Sequence, residues 1–281
     1  MDVEGLSPYR SHVTERIEIV VTVKAYPSVS QKYGEAVCVA GIRIDVAPVW
    51  VRLYPIQFRD LPFSQQFKKW QKISLDVKSH SGDRRPETRR PLPDTLKIGD
   101  VLPAGRTWAK RRPLVDAVRV DSMCELMRKQ RKDGTSLGAF RPAEVEKLVI
   151  EKQPANWDPK KEATLKAKEI QPALFGPVGP ADKPRLERVP YKFSYRYRCG
   201  DQRCKGHEQQ IIDWEIAQAW RKWSAEHGSE GALRRIESKW ITELCSQDRD
   251  THLFVGNQHQ HPASFLVLGV FWPPKATDAL F

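Results

Sequence analysis

Pro48-Val49-Trp50-Val51-Arg52-Leu53-Tyr54 sets Val49, Val51 and Leu53 against Trp50, Arg52 and Tyr54. Side chains alternate across a strand, so this segment has one aliphatic face and one aromatic, basic face. Three further β-type runs surround it, at residues 16–23, 35–42 and 72–78. The last alternates cleanly, with Ile73, Leu75 and Val77 on its apolar side. Residues 98–102 read as a turn leading into another strand. Short strands at this spacing, with few helical stretches among them, predict a small β-barrel or curled sheet over residues 15–120.

After the strands, Asp121 or Ser122 can cap a short helix reaching Arg131, with Glu125 near its start and a basic last turn. Asp133-Gly134 ends it, and residues 142–148 suggest a second helical turn. A β-rich basic lobe with short helices is therefore expected over residues 15–150. Pro154, Pro159, Pro172, Pro177, Pro180 and Pro184 mark residues 151–187 as a linker or long loop.

Residues 188–281 predict an α+β lobe. It opens on an alternating strand, with Tyr191, Phe193, Tyr195 and Tyr197 facing one way and Lys192, Ser194, Arg196 and Arg198 the other. The aromatic face could stack bases, but four aromatics on one strand face are more simply core. Ile216, Ala219, Trp220 and Trp223 form a helical stripe, and residues 229–244 carry another. Residues 251–255 and 264–272 read as strands. The expected fold class is α+β, an N-terminal β-rich, barrel-like lobe packed with a C-terminal α+β lobe.

The chain has 281 residues, a formal net charge of +12 and a pI of about 9.5. Much of the excess is local: residues 59–134 hold nineteen Lys or Arg against ten Asp or Glu. Such a cluster predicts a nucleic-acid partner, DNA or RNA. Candidate phosphate contacts are Arg52, Arg59, Arg84, Arg85, Arg89, Arg90, Lys110, Arg111, Arg112, Arg196 and Arg198. The longest apolar run, residues 265–272, is too short to span a bilayer. No membrane partner is expected. The N-terminus has no secretory pattern, and five cysteines do not read as a disulfide framework. A cytoplasmic location follows as the expectation.

Cys199-x4-Cys204-x2-His207 supplies three ligands suited to structural zinc on one tight loop. Cys245 is the expected fourth ligand, with His227 and His261 in reserve. Six residues beyond His207 lie Asp213 and Glu215. On an extended segment these carboxylates share a face and could hold Mg²⁺ or Mn²⁺, with His207 as general base in phosphodiester hydrolysis. Asp213 is equally a good helix N-cap, with Glu215 in the first turn. No Walker, dinucleotide-binding, nucleophile-elbow or nucleobase-deaminase pattern is present. Three functions remain: a nucleic-acid-binding protein with structural zinc, a metal-dependent nuclease, or a non-catalytic subunit of a larger assembly.

Overall fold

In the computed structural model, which describes residues 13–30, 34–170 and 183–275, the quoted stretch forms strand β4 (Trp50–Ile56). Val51 and Leu53 point into a barrel with Ile17, Ile19, Val21, Val37, Val39, Ile73, Leu75 and Val77. The barrel is built from β1 (Glu15–Lys24), β3 (Gly34–Arg43), β4, β5 (Gln71–Ser79) and β6 (Thr88–Val101). Its order is β1-β5-β6-β4-β3, and pairing of β3 back onto β1 closes it. The short β2 (Ser28–Ser30) extends β3. The segment expected to lead into a strand, residues 98–102, is instead the end of β6.

The opposite faces of β1 and β4 are also covered. A bulge between Val21 and Val23 puts Val20 and Val23 on the same outer side of β1. There they join Ala40, Trp70, Leu137, Ala139, Phe254, Leu268 and Phe271 in one apolar cluster between the lobes. Trp50 meets Phe254 edge-on at 5.6 Å. What reads as an exposed aromatic and basic face of β4 is thus an interior surface.

The C-terminal lobe contains two three-stranded sheets. One runs β7 (Leu137–Phe140), β11 (His252–Asn257), β12 (Phe265–Phe271); the other β8 (Pro142–Lys152), β9 (Tyr191–Cys199), β10 (His207–Gln210). Residues 142–148, expected as a helical turn, lie in β8. Leu148 and Ile150 pair with Tyr195 and Phe193, so the open edge of β9 wins over the charged, helix-like spacing. Because β7 and β8 pair with β11 and β9, residues 137–152 belong with the C-terminal sheets. The expected boundary at residue 150 falls inside that lobe.

Four α-helices lie among the described residues, α1 (Arg112–Ala117), α2 (Met123–Asp133), α3 (Pro159–Ile170) and α4 (Trp214–Glu237), the last continued by a π-helical turn at Ser238–Glu243. The expected linker at 151–187 contains α3, and residues 171–182 of it lie outside the described residues. The two helices expected at 213–223 and 229–244 are joined through a kink at Gly228, φ 66° and ψ 175°. That backbone state suits only glycine. Phe193, Tyr195 and Tyr197 are buried against Trp220, Ile236 and Trp240, so the aromatic face of β9 is core.

Candidate functional site

Cys199 ends β9, and a turn through Cys204 returns the chain to His207 at the start of β10. Gly206 allows that return with φ 93°. Ser122 caps α2 by accepting from Glu125 N–H, which sets Cys124 in the helix's first turn facing the same loop. The ligand atoms of Cys124, Cys199, Cys204 and His207 all lie within 4.8 Å of one another. Cys199 Sγ is 3.6 Å from Cys124 Sγ, and His207 Nε2 is 3.5 Å from Cys124 Sγ. Backbone N–H groups of Cys199 and Gly206 point at Cys204 Sγ, at 3.5 and 3.4 Å. This group could hold a metal ion.

Burial pushes the Cys199 thiol up, but hydrogen bonds from the Asp201 and Cys124 backbone and from His207 reverse this and bring it to about 6. Burial and the neighbouring sulfurs push Cys124 up to about 12. One sulfur in the cluster is thus poised as a thiolate, the form that binds metal. Cys245 does not join the group. Its sulfur lies 3.2 Å from Trp240 O and 3.9 Å from the Tyr195 hydroxyl. Cys124 stands where Cys245 was expected.

The expected trio of His207, Asp213 and Glu215 is divided. His207 turns to the sulfurs and stacks on Tyr197. Asp213 is the N-cap of α4, accepting from Glu215 N–H at 3.1 Å. Both carboxylates engage Lys69, whose Nζ is 2.8 Å from Asp213 and 3.2 Å from Glu215. Burial raises the Asp213 carboxyl to about 6, against the pull of Lys69. Burial also opposes the Lys69 charge, but the two carboxylates outweigh it and carry the ammonium up to about 12. An ammonium ion occupies the place between the carboxylates that a divalent cation would need.

Asp213, Glu215 and Lys69 line a cavity of about 650 Å³. Trp70, Trp108, Trp223, Trp240 and Trp272, five of the chain's nine tryptophans, also line it. Trp70 and Trp108 have φ of 63° and 57°, a left-handed backbone that bulky residues rarely adopt. Hydrogen bonds hold both in place: Trp70 N–H donates to Val21 O, and Arg111 N–H to Trp108 O. The Arg111 guanidinium stacks 4.8 Å from the Trp70 ring and 5.0 Å from Trp108, and Arg249 lies 4.9 Å from Trp272. With Arg106 and Lys239, cations outnumber carboxylates around this space.

Most of the expected phosphate contacts are committed within the protein. Arg52 is only 1 % exposed and donates through Nη1 and Nη2 to Ser136 Oγ and O. It lies between the lobes and is no part of an exposed phosphate surface. Arg59 pairs with Glu35, Arg85 with Asp83, Arg112 with Asp250 and Arg196 with Glu208. Arg198 lies 3.7 Å from Glu146, Arg89 donates to Pro86 O and Thr88 O, and Arg111 donates to Leu102 O. Arg84, Arg90 and Lys110 are exposed and have no ion pair among the described residues.

A family model described as Domain of unknown function (DUF8757) matches residues 119–281, more than half of the chain. The chain belongs to this family. A second model, Domain of unknown function (DUF8758), matches residues 15–117. The DUF8757 match thus holds the Cys124, Cys199, Cys204 and His207 group and α4, and the DUF8758 match holds the barrel and Lys69. The two meet at residue 118, between α1 and α2. No curated protein matches the chain. A solved structure titled "Structure of murine DNA binding protein bound with ds DNA" is similar over 94% of this chain and 97% of that one, at 9% identity. The TM-score between the two is 0.30.

Two features of the site escape sequence reasoning. Cys124 lies 75 residues before Cys199, and no local spacing links it to the Cys199–His207 loop. The tryptophan wall is assembled from positions 70 to 272, with no spacing to reveal it.

Proposed function

We propose that this DUF8757 protein binds nucleic acid, in the cytoplasm, through the tryptophan-lined cavity and its basic rim. The observation that carries the reading is the pair Trp70 and Trp108, held in left-handed backbone and facing one space with Arg111 between them. The partly exposed indoles of Trp108, Trp223 and Trp272 are the ones that can stack on bases, and Arg and Lys at the rim meet phosphates. Strained backbone held by hydrogen bonds is a hallmark of functional positions. In this reading zinc occupies the Cys124, Cys199, Cys204 and His207 group. Zinc–sulfur bonds of 2.3 Å in a tetrahedron give sulfur–sulfur edges of about 3.8 Å, close to the spacing present. The ion would tie α2 to the β9–β10 hairpin and so support the core beneath α4.

The test is fluorescence anisotropy with labelled single- and double-stranded DNA and RNA across a salt series. Binding that weakens steeply with salt, and that falls in an Arg106→Glu, Lys110→Glu double variant, supports the reading. Absence of binding to all four at low salt defeats it, and would favour the subunit reading.

A metal-dependent nuclease remains the second reading because Asp213 and Glu215 line the same cavity. Lys69 between them opposes it. Cleavage of those oligonucleotides with Mg²⁺ or Mn²⁺, lost in Glu215→Gln, would establish it.

A further inference from the structure

A second cavity, of about 830 Å³, lies between the lobes on the side of β4 that carries Arg52 and Tyr54. Its walls hold polar groups without partners. Arg52 Nε, Asn257 Oδ1 and both ring nitrogens of His80 are shielded from solvent and make no hydrogen bond. Arg52 is 1 % and Asn257 5 % exposed. Buried polar groups are nearly always satisfied, and an exception needs an explanation. Three exceptions line one cavity, and one ligand with matching donors and acceptors would satisfy all three.

The frame around them is rigid. Arg52 Nη1 donates to Ser136 Oγ at 2.6 Å, and that hydroxyl donates to Glu87 at 2.5 Å. No carboxylate pairs directly with the Arg52 guanidinium among the described residues. Asn257 Nδ2 donates to Pro262 O at 2.8 Å, which fixes Oδ1 as the free acceptor. Arg85, clamped by Asp83, donates to Asn257 O at 2.7 Å and so ties the barrel to this loop. Gly82, Gln258 and His259 are exposed at the rim. Tyr54, Leu266 and Leu268 supply flat and apolar wall.

The free groups define the ligand. Arg52 Nε–H calls for an acceptor and Asn257 Oδ1 for a donor, while neutral His80 offers one of each. A simple anion leaves Asn257 unsatisfied, and a simple cation is repelled by Arg52. A planar ring carrying adjacent donors and acceptors satisfies both, and it fits a partly apolar cleft of this size. We infer that this interlobe cavity is a pocket for a nucleobase, read on its hydrogen-bonding edge by Arg52, Asn257 and His80. The base can come from a free nucleoside or from a strand held at the tryptophan cavity; only the second source rests on the nucleic-acid reading above.

The test uses the full chain and titrates adenosine, guanosine, cytidine, uridine and inorganic phosphate by ligand-observed NMR. Anisotropy with a labelled single-stranded oligonucleotide runs beside it. The His80 ring makes no hydrogen bond, so His80→Ala removes none from the fold; Asn257→Ala is the second variant, and thermal melting checks both. At least one nucleoside should bind the wild type, and both variants should weaken it tenfold or more. Oligonucleotide containing that base should compete with the nucleoside if the base comes from a strand. Failure to compete assigns the pocket to the free nucleoside. If no nucleoside binds at millimolar concentration while the oligonucleotide does, the pocket is overturned and the nucleic-acid reading stands. Nucleoside binding with no oligonucleotide binding sustains the pocket and defeats the other reading. Phosphate binding as tightly as any nucleoside marks a plain anion site and overturns the inference, as does nucleoside affinity unchanged in a folded His80→Ala.

Discussion

Lys69 Nζ lies 2.8 Å from Asp213 Oδ2, joining the chain just before β5 to the N-cap of α4. Asp213 is 2 % exposed, so its charge has exchanged water for one ammonium ion, one backbone N–H and the flank of Glu215. Removing the partner of a buried charge is far costlier than the net worth of the pair.

Lys69→Met is expected to destabilise the protein by about 3 kcal/mol at pH 8, measured by urea unfolding. Without Lys69, the folded Asp213 carboxyl rises further above its unfolded value. Stability of the variant is then greatest below the unfolded value of about 4 and is lost as pH rises through the folded one. The gap to wild type should narrow from pH 8 to pH 5. Asp213→Asn keeps the cap but removes the charge, and its loss should come mainly from Lys69 left beside Glu215 alone.

Metal content separates the two candidate fourth ligands. Purified wild type should carry one zinc per chain. Cys124→Ser should lose metal and thermal stability together, since binding energy at such a site is folding energy. Cys245→Ser should keep its zinc. Equal metal in Cys124→Ser and wild type would remove Cys124 from the site.

Asp83 and Arg85 provide an acid-range signature. Burial pushes the Asp83 carboxyl up, but hydrogen bonds from Arg85 more than reverse this and hold it well below the usual range. A depressed folded value stabilises the protein above the ordinary aspartate pKa, and this is lost as pH falls through the folded one. Asp83→Asn should cost about 2 kcal/mol at neutral pH, a charged hydrogen bond's worth. The deficit should stay constant down to about pH 5 and shrink below pH 4. A deficit that grows on acidification contradicts the assignment.

Salt dependence distinguishes free cations from committed ones. If Lys110 meets one phosphate, Lys110→Ala should lower the slope of log affinity against log salt by about one, with melting unchanged. Arg112→Ala should instead lower the melting temperature, because Arg112 is spent on Asp250 and Thr107 O. Calorimetry and anisotropy on the same two variants decide this.

The barrel was legible because period-two alternation leaves one clear face on β1, β4 and β5. The aromatic face of β9 and the capped helix α2 were legible for similar local reasons. β8 was not: its charges mimic a helical turn, and only the open edge of β9 decides its conformation. Arg52 misleads because the outer face of β4 resembles a solvated basic patch. Trp50 beside it is the clue, a large ring that needs cover and finds it on Phe254. Of the candidate metal-binding group, the three residues on one loop could be seen at short spacing, while Cys124 arrives from a separate helix. Both cavities are invisible in one dimension, since each collects residues from opposite ends of the chain.

The covered outer face of β1 and β4 bears on how such a chain can change. Two family models describe its halves, yet Val20, Trp70, Leu137 and Phe254 share one cluster, and Arg52 of one half is sheltered by Ser136 of the other. Either half grafted onto a stranger would present a sticky hydrocarbon surface, and in the first half a bare guanidinium within it. Parting the two halves would therefore cost each of them the cover that the other supplies.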